Sequence, residues 1–313
     1  MISTALTQLF DLRAPILSAP MAGIAGGALA AAVTRAGGLG VIGGGYGDRD
    51  WLKSQLAAAG NTPVGVGFIT WSMAKRPDLL KLALDHAPKA IFLSFGDLRP
   101  FAPLVKQAGI PLIAQVQTLR DAKVARDEGA DVIVAQGTEA GGHGSIRSTF
   151  TLVPEVVDAV GLVPVVAAGG VADGRGLAAA LMLGAAGVLC GTAFVTSEET
   201  LLHPNVKAAA VAATGDDTLR SSVFDVARSI DWPEPWTMRT LRNAFSDQWA
   251  DDFDGLRSNA AREAARYAKA RDAGDTDVSA VIVGEGIGLI HAVQPAAQVV
   301  QRIVDQAEKL LAR

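Results

Sequence analysis

Short apolar runs alternate with longer amphipathic or alanine-rich stretches over the first two thirds of the chain. Residues 15–18, 39–42, 64–69, 90–95, 110–115, 132–135, 164–168 and 186–190 are almost wholly apolar. Runs of this kind, without polar alternation, read as parallel strands buried on both faces. Between them, residues 26–36, 50–59, 77–86, 100–108, 119–128, 149–160 and 173–183 carry helical spacing. Gly37-Gly38, Gly60-Asn61 and Gly129 stop three of these helices, and Asp173 stands as an N-cap for the last. Repeated strand–helix units of this length predict an α/β fold, a (β/α)₈ TIM barrel. A doubly wound open sheet is the rival, but no Rossmann-type start opens the chain.

From Thr196 onward the pattern changes. Residues 203–213, 239–245 and 259–272 read as helices. Residues 231–236, with Pro233 and Pro235, do not. Residues 284–289 return to glycine-rich loop character, and residues 295–311 form a long amphipathic helix. The economical organisation is a barrel of residues 1–199 and 281–313. A smaller, mainly helical inserted domain, residues 200–280, follows strand eight and caps the active site. The last helix closes the barrel, and an exposed apolar stripe on it would suit a homodimer contact.

Composition narrows the function. Of 313 residues, 34 are glycine and only two are tyrosine, which suits tight turns and closely packed helices. A formal charge of −4 gives no electrostatic footprint for nucleic acid. The single cysteine, Cys190, excludes a disulfide framework and a cysteine-rich metal site. It lies within a strand and is expected to be buried and inert. No apolar run reaches membrane-spanning length. The first ten residues lack a basic stretch followed by an apolar one, so no secretory signal is visible and cytoplasm is expected. The glycines of residues 43–47 lack a P-loop lysine, and no Gly-x-Ser-x-Gly elbow is present.

Chemistry in such folds sits where strands give way to loops. The sixth strand runs into Gly141-Gly142-His143-Gly144. Histidine is suited to proton transfer near neutrality, and small neighbours would leave this ring exposed above the strand ends. Glu139 either orients it or is solvated. The plainer alternative is a surface or phosphate-lining histidine. His86 reads as structural and His203 as a helix-start residue, whereas His291, near the 284–288 loop, could approach the pocket.

Ala168-Gly169-Gly170 and Gly191-Thr192 follow strands seven and eight, where barrels often hold a phosphate on backbone N–H groups; otherwise both are merely tight turns. Ala19-Pro20-Met21-Ala22-Gly23 offers a floor for a flat ring, or a turn with Met21 packed inward. Gln115, Gln117 and Gln136 are amides at apolar strand ends and need polar partners, either a ring edge or a loop carbonyl. Tyr46, Phe68, Trp71 and Trp232 are candidates for an apolar pocket wall, or for core.

Residues 15–23 (PILSAPMAG), 135–144 (AQGTEAGGHG) and 167–171 (AAGGV) together resemble the nitronate monooxygenases. The resemblance implies a barrel with an additional domain that binds FMN non-covalently. It implies that Ala19, Met21, Ala22 and Gly23 lie along the flavin and that Gln115 faces its pyrimidine end, where relatives often carry lysine. Gln136 is a further candidate there. Gly141 and Gly142 would lie near the phosphate side, and Gly169, Gly170, Gly191 and Thr192 would hold the phosphate, with Ala168 a cofactor-binding candidate at the same turn. His143 would be the base or the substrate-orienting group. The implied reaction turns an alkyl nitronate, or a nitroalkane, and O₂ into a carbonyl compound and nitrite.

Thr70-Trp71 after strand three, Ile287, and Gln115 depart from the family pattern and bear on the substrate rather than on the flavin. The alternatives are an FMN-dependent NAD(P)H oxidoreductase acting on a quinone or enoyl thioester, and a non-catalytic barrel used for binding.

Overall fold

Eight parallel strands close on themselves in the computed structural model, which describes residues 2–312. Met1, part of the leader reading, and Arg313 lie outside the described residues. The barrel strands are β1 (Ile16–Ser18), β2 (Val41–Gly43), β3 (Gly65–Ile69), β4 (Ile91–Ser94), β5 (Leu112–Val116) and β6 (Val132–Gln136). Beyond a short outer strand, β7 (Gly142–Gly144), come β8 (Val165–Ala168) and β9 (Gly187–Cys190). Their order in the sheet is β1-β9-β8-β6-β5-β4-β3-β2. A parallel bridge between Leu17 and Leu39 joins the two ends. Ser18 N–H donates to the Leu39 carbonyl at 3.0 Å, and Leu39 N–H to the Ile16 carbonyl at 2.9 Å. The expected (β/α)₈ barrel is the observed fold.

The barrel strands are apolar on both faces because each face has a core of its own. Leu17, Val41, Phe92, Ile113, Val132, Val134, Val166 and Leu189 fill the barrel interior. Ile16, Ile42, Val66, Ile91, Leu112, Ile133, Val165 and Val188 face the surrounding helices. Helix Ala5–Phe10 plugs the N-terminal end of the barrel with Leu6 and Phe10. It has no counterpart in the sequence reading, since six residues are too few to display a helical period. Its start is fixed by Thr4 and Thr7 in a reciprocal capping box.

Helix Ala296–Leu311 packs against helices Gly174–Met182 and Gly27–Ala36 and so completes the outer ring. It buries Ala296, Val299, Val300, Ile303 and Ala307 in doing so. The apolar stripe expected to suit a homodimer contact is therefore spent within the chain.

The extension after β9 holds helix Pro204–Ala212, β10 (Thr218–Ser221), helix Val223–Ala227, β11 (Thr237–Leu241) and helices Ala244–Trp249, Phe253–Ser258 and Ala260–Ala273. Phe224, Met238, Phe245, Trp249, Leu256 and Tyr267 form its own core. The helix expected over residues 239–245 is instead mostly strand. Met238 pairs with Ser221 on one side and with His143 on the other, and residues 238–241 are all buried, so the segment shows neither a helical nor a strand period. The helix begins only at Ala244, where Asn243 and Ser246 cap it reciprocally. β11 pairs antiparallel with β10 on one side and with β7 on the other, so the loop after β6 and the extension share one small sheet.

Candidate active site

Strand parity builds the pocket. Residues two positions beyond the interior core point the same way and form the next layer toward the C-terminal ends. From Leu17, Phe92, Ile113, Val134, Val166 and Leu189, that step reaches Ala19, Ser94, Gln115, Gln136, Ala168 and Gly191. All six line a cleft enclosing about 1150 Å³ of non-atom space, its open mouth included. Pro20, Met21 and Ala22 add a floor of small or flexible groups.

The three glutamines satisfy one another. Gln115 and Gln117 both donate through Nε2 to Gln136 Oε1, at 3.1 and 2.8 Å, and Gln136 Nε2 donates to the His143 carbonyl at 3.0 Å. Trp236 Nε1–H donates to Gln117 Oε1 at 3.1 Å. The amide orientations follow from this network. Gln136 is committed to holding the His143 backbone, while Gln115 Oε1 accepts no hydrogen bond among the described residues.

Glycine at the turns has two physical reasons. Gly169 and Gly170 sit at φ 103° and 73°, a region that costs other residues roughly 1–2 kcal/mol. Elsewhere two loops touch backbone to backbone: a Cβ on Gly141 would lie 2.5 Å from the Val283 carbonyl carbon, and one on Gly284 would lie 2.4 Å from Glu139 O. The loop carrying His143 is fastened from outside by two arginines. Arg220 donates to the carbonyls of Thr138 and Ala140 at 2.8 and 3.2 Å. Arg239 donates to Thr138 O at 3.0 Å and pairs with Glu285 at 2.8 Å. Burial, then the nearby Arg239 charge, brings Arg220 down to about 10.

His143 is buried, not exposed as its small neighbours suggested. Its Nε2 lies 3.0 and 3.1 Å from the two carboxylate oxygens of Asp225, on helix Val223–Ala227. A carboxylate only accepts, so this places a proton on Nε2. The opposite nitrogen, Nδ1, makes no hydrogen bond among the described residues. Burial holds the imidazole below its ordinary range, and the Asp225 bond and charge oppose that shift without reversing it. The ring is thus a neutral base near pH 7 with an adjacent carboxylate ready to hold it once protonated.

Trp232 stacks flat on it, centroids 3.4 Å apart and planes 11° off parallel. Trp232 Nε1–H donates to the Tyr46 hydroxyl at 3.0 Å. Phe95, in the left-handed region at φ 57°, sets its ring edge-on to Trp232 and Trp236 at 5.2 and 5.6 Å. A non-glycine residue held in that conformation beside a pocket is a familiar mark of a functional site.

Of the residues singled out by sequence, Ala19, Met21, Ala22, Gln115, Gln136, Gly141, Gly142, His143, Ala168, Gly169, Gly170, Gly191 and Thr192 line this cleft. Gly23 does not; at φ 72° it turns the chain beneath it. Thr192 Oγ1 accepts from Gly284 N–H at 2.9 Å. Glu139 does not orient His143: its carboxylate accepts from the Thr149 N–H at 3.0 Å and from the Thr149 hydroxyl at 2.8 Å. His291 lies in a different cleft, with Asp173, Arg175 and Arg302. His86 bonds the Leu82 carbonyl at 2.8 Å, and His203 caps its helix. Tyr46, Phe68 and Trp232 line the wall, and Trp71 packs behind Tyr46 and Trp232. Cys190 is fully buried, which pushes its thiol up to about 12.

Sequence reasoning missed Asp225, Arg228, Phe95 and Met238. The spacing of Asp225 and Arg228 puts both on one face of a helix, but nothing local says what that face meets. Among the described residues, no group of three or more His, Cys, Asp or Glu is placed to hold a metal ion. Among them also, no helix is long and apolar enough to cross a membrane.

The chain belongs to the nitronate monooxygenase family, whose pattern matches residues 3–70 and 69–306. It is 36% identical over 330 residues to a nitronate monooxygenase, npaC, of Metarhizium robertsii, covering 95% of this chain and 91% of that one. Among solved structures, FabK from Thermotoga maritima superposes with a TM-score of 0.87 at 31% identity, covering 100% of this chain and 98% of FabK. A nitroalkane oxidase from Streptomyces ansochromogenes gives 0.82 at 25% identity, covering 99% of each chain.

Proposed function

We propose that this chain binds FMN in the cleft and uses O₂ to oxidise alkyl nitronates or nitroalkanes to carbonyl compounds and nitrite. The single observation that carries the reading is the buried His143–Asp225 pair, a neutral base with its own counter-ion, set over a cofactor-sized floor. The residues fit FMN. The floor from Ala19 to Ala22 is small enough for a flat ring, and Gln115 Oε1 offers an acceptor to a ring N–H. The turns at Gly169, Gly170, Gly191 and Thr192 leave room for a phosphate. The cleft opens to solvent above this floor, between Tyr46, Phe95 and Trp232, the side from which a small substrate would enter.

When bound, FMN supplies the redox chemistry, taking electrons from the substrate and passing them to O₂. The chain supplies position and protons. His143 Nδ1 takes the proton from the carbon bearing the nitro group, and Asp225 stabilises the resulting imidazolium through Nε2–H. Trp232, Phe95 and Tyr46 keep water from the reacting carbon. Residues 200–280 act as the roof, delivering Asp225, Arg228, Trp232 and Met238. Two nitronates and one O₂ give two carbonyl compounds and two nitrites, which balances atoms and charge.

The test is anaerobic mixing of holoenzyme with propyl-2-nitronate. Loss of the oxidised flavin absorbance, followed by nitrite and acetone on admitting air, is expected. A spectrum unchanged by the nitronate and by 2-nitropropane alike sinks the reading. The aromatic wall also favours a second reading, in which a flat quinone or an enoyl thioester is reduced at the expense of NAD(P)H. Rapid anaerobic bleaching by NADH or NADPH, with none by nitronate, would select it.

A further inference from the structure

Among the described residues that line the cleft, Arg228 is the only one with a permanent charge. Its side chain is 17% exposed, so its charge lies largely out of water. The guanidinium carbon lies 5.5 Å from the Tyr46 ring centroid, and Nη1 lies 3.6 Å from the Met238 sulfur. Nη1 is 4.0 Å from Asp225 Oδ1, within Coulomb reach but too far for a hydrogen bond. Both Asp225 oxygens are instead turned to His143. A planar fork of N–H donors thus borders the cleft, hydrogen-bonded to the Tyr46 hydroxyl but with no carboxylate within hydrogen-bond distance among the described residues. Such a fork matches two oxygens on one atom.

Charge counting shows what the fork is for. Asp225 and Arg228 are a loose pair and His143 is neutral, so the cluster starts balanced. If a neutral nitroalkane gives its proton to His143, an imidazolium and a nitronate appear together. The imidazolium already has Asp225. The nitronate needs a cation, because an unpaired anion in a dry pocket is costly. Arriving instead as a preformed anion, the substrate would leave the same cluster with one negative charge in excess.

We propose that Arg228 holds the two oxygens of the nitro group, strengthens that contact as the nitronate forms, and thereby fits the site to neutral nitroalkanes as substrates. The assignment rests on the oxidase reading above for its substrate, and on the geometry alone for its anion site. No bond is made or broken at Arg228: the proton moves from carbon to His143 Nδ1, and the carbon's electron pair moves into the nitronate.

Isobutyrate, a branched carboxylate with the nitronate's two-oxygen end, probes the anion site without turnover. Its binding to FMN-loaded protein is followed by calorimetry, with isobutyramide as the neutral control. Arg228→Gln should weaken isobutyrate about ten- to a hundred-fold and leave isobutyramide unchanged. With 2-nitropropane the same variant should lose mainly kcat, and with propyl-2-nitronate it should mainly raise KM. Isobutyrate affinity within two-fold of wild type overturns the proposal. Should Arg228→Gln lose its fold, Arg228→Lys decides: a several-fold weaker isobutyrate supports the fork, and an unchanged or tighter one overturns it. A wild-type enzyme that oxidises neither nitro compound defeats the oxidase reading, while Arg228-dependent isobutyrate binding would still establish the anion site.

Discussion

The floor and the roof of the cleft are made of different material. The floor is backbone and small side chains, Ala19, Pro20, Ala22, Gly169, Gly170 and Gly191, placed by barrel strands that fix their direction. The roof is long side chains, Tyr46, Phe95, His143, Arg228 and Trp232, most of them reaching in from loops or from the extension. Backbone N–H groups and residues with little or no side chain present a thin surface without charge, which suits a group that never changes. Side chains carry charge, rings and protons, and they set which molecule is handled. A fold can therefore keep its floor and change its reaction by rebuilding its roof.

The largest effect that tests this division is at His143. His143→Asn should lower kcat/KM for 2-nitropropane by roughly 10²–10⁴-fold, measured as nitrite release, while the flavin-to-protein ratio stays at the wild-type value. Loss of flavin together with activity would erase the distinction between floor and roof.

Acid should act through the same residue. Burial keeps the folded imidazole unprotonated to a lower pH than the unfolded one, which titrates near about 6.5. Activity on a neutral nitroalkane should rise about tenfold per pH unit below that depressed value and be flat above it. Stability follows with its own sign. Between the two values the unfolded chain binds more protons, so His143 makes the protein less stable as pH falls below about 6.5, and not above it. Urea midpoints between pH 5 and 8 read this, and His143→Asn should flatten that part of the curve.

On the floor the effects are smaller and of the opposite kind. Gly169→Ala meets Thr149 Oγ1 at 2.7 Å from a φ of 103° and should cost about 2 kcal/mol of stability along with FMN retention. Gly170→Ala, with its nearest neighbour at 3.4 Å, should cost about 1 kcal/mol. Urea unfolding with a parallel flavin assay separates the two, and equal losses would show that strain, not crowding, decides. Smallest of all, Gln115→Leu removes one of two donors to Gln136 Oε1 and should cost about 1 kcal/mol, with a shift in the bound flavin absorbance. An unshifted spectrum would detach Gln115 from the flavin.

The same division explains what could be read in advance. The barrel strands announce themselves because a strand buried on both faces needs no partner to look apolar. Ala19, Gln115, Gln136 and Gly191 follow from them by counting in twos. The roof has no such rule. Gly142–Gly144 is too short and too small to display a period, yet it is a strand because β11 arrives beside it. The strand Thr237–Leu241 shows neither period, and it is a strand because β10 and β7 flank it. Asp225 reaches His143 across a separation of 82 residues, and a single sequence holds no trace of that meeting. The ring taken to be exposed is buried for this reason: its cover, Asp225 and Trp232, comes from the extension about 80 to 90 residues further on.

Trp232 lies flat on His143, and that stack gives the roof an optical signature. Indole is the brightest emitter among the side chains, and a protonated imidazole in contact with it quenches that light. Protonating the base should therefore dim one of the five tryptophans. Fluorescence lost from Trp232 on acidification, and kept in His143→Asn, would let the proton be watched in a single mixing experiment, with no label added.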